Sequence, residues 1–190
     1  PRDRRPEEAR RARRVHAADG RYLVAWGLPV LAAAVASFLL AANGARGTIY
    51  MLPWVAAYAV GFLVSFLVSR SVSGASRASS PASRAATALW TGFVVAALVL
   101  AIPAGTGALA VTAYVSALCA LLGLANWGVA AALGAPWYRF PAALWWMGAL
   151  AIPFLDRSAI PLVSTALVLL GQVLPGSILL IRNLRGRGHA

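Results

Sequence analysis

The chain contains no lysine: its 17 cationic side chains are all arginines, set against 5 acidic residues, 2 histidines and 1 cysteine in 190 positions. Each scarcity excludes something. His16 and His189 both lie in the terminal tails, so an apolar interior has no imidazole to offer a metal or to act as a general base. A single Cys119 inside an apolar run rules out an intramolecular disulfide and reads as a small buried hydrophobe. Four of the five acids, Asp3, Glu7, Glu8 and Asp19, precede the first apolar run, leaving Asp156 alone beyond it. Paired carboxylates for acid–base work, phosphate-cradling glycine loops and nucleophile elbows are therefore all missing.

What is present is apolar side chain. Hydrophobic residues make up 61% of the sequence, charged residues 12%, and the mean hydropathy is +0.74. Soluble domains carry roughly 25% charged residues, and one of this size has too little interior to hide so much apolar surface. The composition reads as an all-α polytopic membrane protein, with no length left over for a separate soluble domain. Arginine used to the exclusion of lysine, with abundant Ala, Gly and Val, is the bias of a high-GC genome and points to a bacterial source.

Six apolar segments, approximately 22-42, 49-69, 86-104, 107-133, 137-155 and 159-181, are each long enough to cross about 30 Å of hydrocarbon. They leave a basic segment, 1-21, helical or disordered, and a basic tail, 182-190. The breaks are rich in turn-forming residues: Asn43–Gly44, the serine-rich stretch from Arg70 to Arg84, Pro103–Ala104–Gly105, Gly134–Ala135–Pro136, and Asp156–Arg157 before Pro161. Eight arginines between Arg2 and Arg21 precede a full-length span without a clear cleavage site, which reads as a retained anchor rather than a signal peptide.

Arginine placement sets the orientation. With six crossings and a cytoplasmic N-terminus, the inner face holds the eight N-terminal arginines with Arg70, Arg77, Arg84, Arg139, Arg182, Arg185 and Arg187, leaving only Arg46 and Arg157 outside. That asymmetry follows the positive-inside rule and puts both termini in the cytoplasm of a plasma membrane. Trp26, Trp90, Trp127, Trp137 and Tyr138 fall near the same inner ends, where amphipathic rings settle.

The segment Pro6–Arg14 begins like a helix, with Pro and acids in its first turn. Its Arg10, Arg11, Arg13 and Arg14 are candidate contacts for anionic lipid or for a protein partner, at about 1 kcal/mol per basic residue near a negative leaflet. The plainer reading is a topology signal. Nothing interleaves aromatics with this charge, so nucleic acid is not expected as a partner.

Within the membrane a few uncharged polar residues and helix perturbers remain. Pro175 cannot donate to the carbonyl of Gly171, and Gly176 loosens the same turn beside Gln172. Asn126 on the fourth span and Trp145 and Trp146 on the fifth reach comparable depth. These six, Asn126, Trp145, Trp146, Gln172, Pro175 and Gly176, form a candidate pocket for a lipid-like or aromatic ligand; interhelical hydrogen bonding is the plainer alternative. On the second span Pro53, Ala57, Gly61, Ser65 and Ser69 recur every fourth residue, a smooth face for close helix packing inside the bundle or between two copies.

A weak internal echo, Tyr50 to Pro53 with Arg70 against Tyr138 to Pro141 with Arg157, falls three spans apart. Duplication of three helices would give inverted halves, as in many secondary carriers. Two functions are therefore expected: a non-enzymatic membrane subunit, sensor or anchor engaging a lipid or protein partner through its basic inner face, or a small transporter or lipid carrier built on that repeat. No cofactor or metal is expected in either.

Overall fold

The computed structural model describes residues 23–40, 42–44, 49, 52–72, 81–156 and 158–185. Every regular element among them is helical. In chain order they are α1 (Leu23–Leu40), α2 (Leu52–Val72), α3 (Pro81–Gly105), α4 (Val111–Leu133), α5 (Arg139–Ala151), α6 (Ile160–Val168) and α7 (Leu174–Arg185). Short 3₁₀ turns, Pro136–Tyr138 and Ile152–Phe154, extend α5 at both ends. A π turn, Leu169–Val173, joins α6 to α7 without interrupting the helix.

Four stretches are long and apolar enough to cross a bilayer: Leu23–Leu40, Arg84–Gly105, Val111–Leu133 and Ile160–Arg182. A shorter apolar stretch, Leu52–Val64, lies within α2. Helix ends depart from the apolar runs where backbone chemistry, not hydropathy, sets the boundary. The third helix starts at Pro81, five residues before the apolar run at 86, because proline suits the first helical position and its missing N–H has no partner to lose there. It continues through Pro103 to Gly105, and the chain then turns at Gly107, whose φ of +78° is favoured only for glycine. The fourth helix accordingly begins at Val111 rather than 107 and closes on Gly134, at φ +62°, whose N–H donates to the Ala130 carbonyl.

Burial runs opposite to that of a water-soluble core. The buried apolar side chains are largely alanines, among them Ala34 and Ala142 at 0% exposure, while Phe154, Leu150 and Ile102 stand 70% or more exposed. In water such a surface drives aggregation. Against lipid it is the expected arrangement, because tails solvate Leu and Phe as well as a protein interior does, and helices gain by bringing small residues together.

The chain divides into two compact units, residues 73–167 and a second comprising 1–72 with 168–190. The division does not fall midway between the third and fourth helices. In the 73–167 unit α4 is central. Its neighbour α3 runs antiparallel to it, with Leu89 filling the space that a side chain at Gly128 would need. On the opposite face α5 is also antiparallel, tied by Ser116 Oγ donating to the Ala149 carbonyl at 2.6 Å and by Trp146 Nε1 donating to the Ala120 carbonyl at 3.3 Å. Leu167 of α6 packs on Gly148 of α5.

In the other unit α1 meets two partners through glycine. Trp26 lies flat against Gly61 of α2, where a Cβ would sit 2.7 Å from the ring, and completes edge contacts with Tyr58 and Phe62. Gly27 of α1 faces Val173 at the π turn, and Gly176 of α7 faces Leu23 and Val24, so α1 and α7 pack antiparallel.

Candidate functional site

A buried stripe on α4 reads Cys119, Gly123, Asn126, Ala130, and one on α5 with its closing 3₁₀ turn reads Pro141, Trp145, Gly148, Ile152. Both follow a four-three-four spacing, the repeat that keeps one helical face toward a neighbour. The hydrogen bonds Ser116–Ala149 and Trp146–Ala120 fix the register, which sets Trp145 opposite the level of Ala120 and Leu121, with Asn126 about one and a half turns further along α4.

Each stripe carries one polar group that the fold leaves unanswered. Asn126 is 0% exposed; its Nδ2 donates to the Leu122 carbonyl at 2.8 Å, but Oδ1 has no hydrogen-bond partner. Trp145 is likewise buried, with Nε1 unpartnered. The adjacent Trp146 behaves differently. Its indole covers Gly123, donates to the Ala120 carbonyl and meets the Trp127 ring at 5.6 Å, so this side chain is engaged in holding α4 to α5. Trp127 in turn carries the Arg139 guanidinium 5.4 Å from its ring centroid, a cation–π contact at the end of the helix pair.

The other polar centre lies at the π turn, in the unit that contains α1, α2 and α7. There Leu174 N–H donates to Leu169 O, five residues back, and α geometry resumes through Pro175 and Gly176. The wider turn comes one turn ahead of the proline, where the missing N–H weakens the ladder. Gln172 is buried with Oε1 unpartnered, and its Cβ lies 3.4 Å from where a Cβ on Gly27 would stand. Close approach of α1 at Gly27 and Gly176 brings backbone against this turn.

Of the six residues expected to line one pocket, Asn126, Trp145 and Trp146 thus belong to the 73–167 unit, and Gln172, Pro175 and Gly176 to the other. On α2, Ala57 and Gly61 are buried and Gly61 receives Trp26, while the side chains of Ser65 and Ser69 lie outside the described ones. Arg10, Arg11, Arg13 and Arg14 also lie outside the described residues. Among the described residues no three His, Cys, Asp or Glu side chains come together as a metal site. Chemically, the two centres offer amide oxygens and an indole N–H in an apolar setting, able to orient a ligand by hydrogen bonding and unable to move a proton.

Sequence reasoning missed the glycines that receive a bulky partner, Gly27, Gly123, Gly128 and Gly148. Their only sequence signal is small size on a helical face, which many lipid-facing positions share. It also missed Ser116, whose hydroxyl reads as one more weakly polar residue until its acceptor on α5 is known. The chain matches no protein-family model, no curated protein and no solved structure.

Proposed function

We propose that the protein is a non-enzymatic integral membrane subunit or anchor of a bacterial plasma membrane, crossing it six times and engaging a partner through its basic cytoplasmic face. The observation that carries this reading is the charge polarity of the 73–167 unit. Because α3, α4 and α5 alternate in direction, Arg84 at the start of α3 and Arg139 at the start of α5 share one end, and Asp156, after the 3₁₀ turn that ends α5, marks the other. Arginines gathered at one end, against an opposite end where Arg157 directly follows Asp156 in sequence and offsets its charge, follow the bias of a cytoplasmic face. In a six-span arrangement the arginine-rich 1-21 segment and the 182-190 tail come out on the same side of the membrane, adding basic charge for an acidic partner or anionic leaflet.

The test is native mass spectrometry of the chain released from its own membranes in lipid discs. A stoichiometric protein partner, lost when Arg10, Arg11, Arg13 and Arg14 are all changed to Gln, supports the reading. A lone chain carrying a defined small molecule contradicts it.

One observation favours a second reading, a small transporter or lipid carrier: the buried, unpartnered Gln172 Oε1 on a π turn, a backbone irregularity of the kind that recurs at functional sites. For a carrier, Gln172→Leu combined with Asn126→Leu removes the bound molecule and deletion of residues 1-20 costs little. For a docking subunit the deletion removes function and the double substitution changes only thermal stability.

A further inference from the structure

Between α3 and α4 an open groove of about 760 Å³ runs along the helix pair. It extends from Ala85 to Phe93 on α3 and from Leu121 to Ala132 on α4, and almost all of its lining is apolar. Small residues make the floor: Gly92 on one wall has nothing within 4 Å of where a Cβ would stand, so the space above it is unfilled. Among the four long apolar stretches, that of α3 is the least buried.

Length and charge identify an occupant. At 1.5 Å rise per residue the groove is about 12 Å long on α3 and about 16 Å on α4, close to the roughly 15 Å of one leaflet of a 30 Å hydrocarbon core. It starts at the basic end. Arg84 is exposed and immediately precedes Ala85, and Arg139 is exposed at the same end of the unit, over Trp127, which adjoins the Gly128 of the groove. The one acid among the described residues, Asp156, lies at the opposite end. A membrane-spanning helix from a second copy is about twice the length of the groove and would run on into the other leaflet. Two-fold pairing through this face would also set each Arg84 beside its own counterpart, a like-charge contact that disfavours association.

We propose that the groove binds one acyl chain of an anionic phospholipid from the leaflet on the Arg84 side, with the headgroup phosphate held by Arg84 and Arg139. An apolar groove of about one leaflet's length matches an acyl tail, and guanidinium groups are suited to bidentate recognition of phosphate oxygens. This deepens the proposed engagement of the inner leaflet, and it rests on that orientation without requiring any protein partner.

The experiment uses the full chain reconstituted into vesicles of equal phosphatidylcholine and phosphatidylglycerol, then released into detergent for native mass spectrometry. The expected species is a monomer retaining one phosphatidylglycerol, several-fold over phosphatidylcholine. Gly92→Leu, which fills the slot without meeting a neighbour, lowers retention of both lipids at least fivefold at unchanged melting temperature, and Ala88→Leu does the same independently. Arg84→Gln with Arg139→Gln keeps lipid bound but brings the two headgroups to parity. Retention unaffected by either filling variant, no preference for phosphatidylglycerol in the unaltered protein, or a dimer that Gly92→Leu dissociates would each overturn the proposal. The partner-capture measurement above is independent of all three outcomes, so failure of the lipid site and failure of the docking reading are told apart.

Discussion

Glycine serves this protein chiefly as clearance, and the difference between one glycine and the next is a matter of what stands opposite. At Gly123 the indole of Trp146 already occupies the space that a Cβ would take, and at Gly148 a methyl of Leu167 does. Either must move if the glycine is replaced. Gly123→Val is therefore expected to destabilise the protein by about 1–3 kcal/mol, the usual range for overpacking a filled site, read as an earlier thermal transition in detergent. Gly92→Val, with open space around its Cβ, is the matched control and should not lower the transition, since it relieves the cost of a glycine inside a helix without meeting a neighbour at Cβ. Equal effects of the two would show that Trp146 does not sit on Gly123. Ser116 supplies the complementary case. Its hydroxyl donates to a carbonyl on a neighbouring helix at 2.6 Å, and bonds of this kind inside membranes contribute about 0.6 kcal/mol on average. Ser116→Ala should thus produce a small loss in the same assay, well below that of Gly123→Val.

Helices are joined here by such pairings more than by their own amphipathicity, and that limits what the sequence reveals about them. The apolar core of each long stretch was legible, since about twenty residues without charge admit few other structures. Boundaries were legible only in part: Pro81 and Gly107 override hydropathy, drawing the start of α3 back into a serine-rich stretch and delaying that of α4. The irregularity near Pro175 was visible as a missing donor, but its form, a π turn over Leu169–Val173, depends on how the ladder redistributes one residue and on α1 pressing against Gly176. The polar residues Asn126 and Gln172 stood out from their apolar neighbours, whereas which of their atoms lack partners depends on distances no spacing rule supplies. The antiparallel contact of α1 with α7 offers a direct check. In a Cys119→Ala background, Leu23→Cys with Gly176→Cys sets two Cβ atoms 2.9 Å apart, closer than the roughly 3.5–4.5 Å of a relaxed disulfide, so a small separation of the two helices should let oxidation link them. Absence of the crosslink, with a control pair Leu28→Cys and Gly176→Cys equally unreactive, would rule out this packing.

For the whole molecule the decisive property is its polarity across the bilayer. Apolar side chains facing outward and small residues between helices follow from a chain that folds in lipid, and the end of the 73–167 unit that holds Arg84 and Arg139 is the one the proposed orientation turns toward the cytoplasm. Replacing Arg10, Arg11, Arg13 and Arg14 together by Gln should leave the apolar spans inserted but weaken attachment of the 1-21 segment to an anionic bilayer surface by up to about a thousandfold, at about 1 kcal/mol per basic residue, read by a fluorophore on that segment in reconstituted vesicles. The six-span arrangement with a cytoplasmic basic face is the claim on which both the docking role and the lipid groove depend. The most direct measurement is site-specific thiol labelling of intact cells with a membrane-impermeant maleimide, using single cysteines introduced into Cys119→Ala at Asn43, Ala82, Thr106, Ser158 and Arg185. The account predicts labelling from outside at Asn43, Thr106 and Ser158, and protection at Ala82 and Arg185 until the membrane is opened. Labelling of Arg185 from outside, or of Ala82 together with it, would contradict that topology and with it the basic inner face.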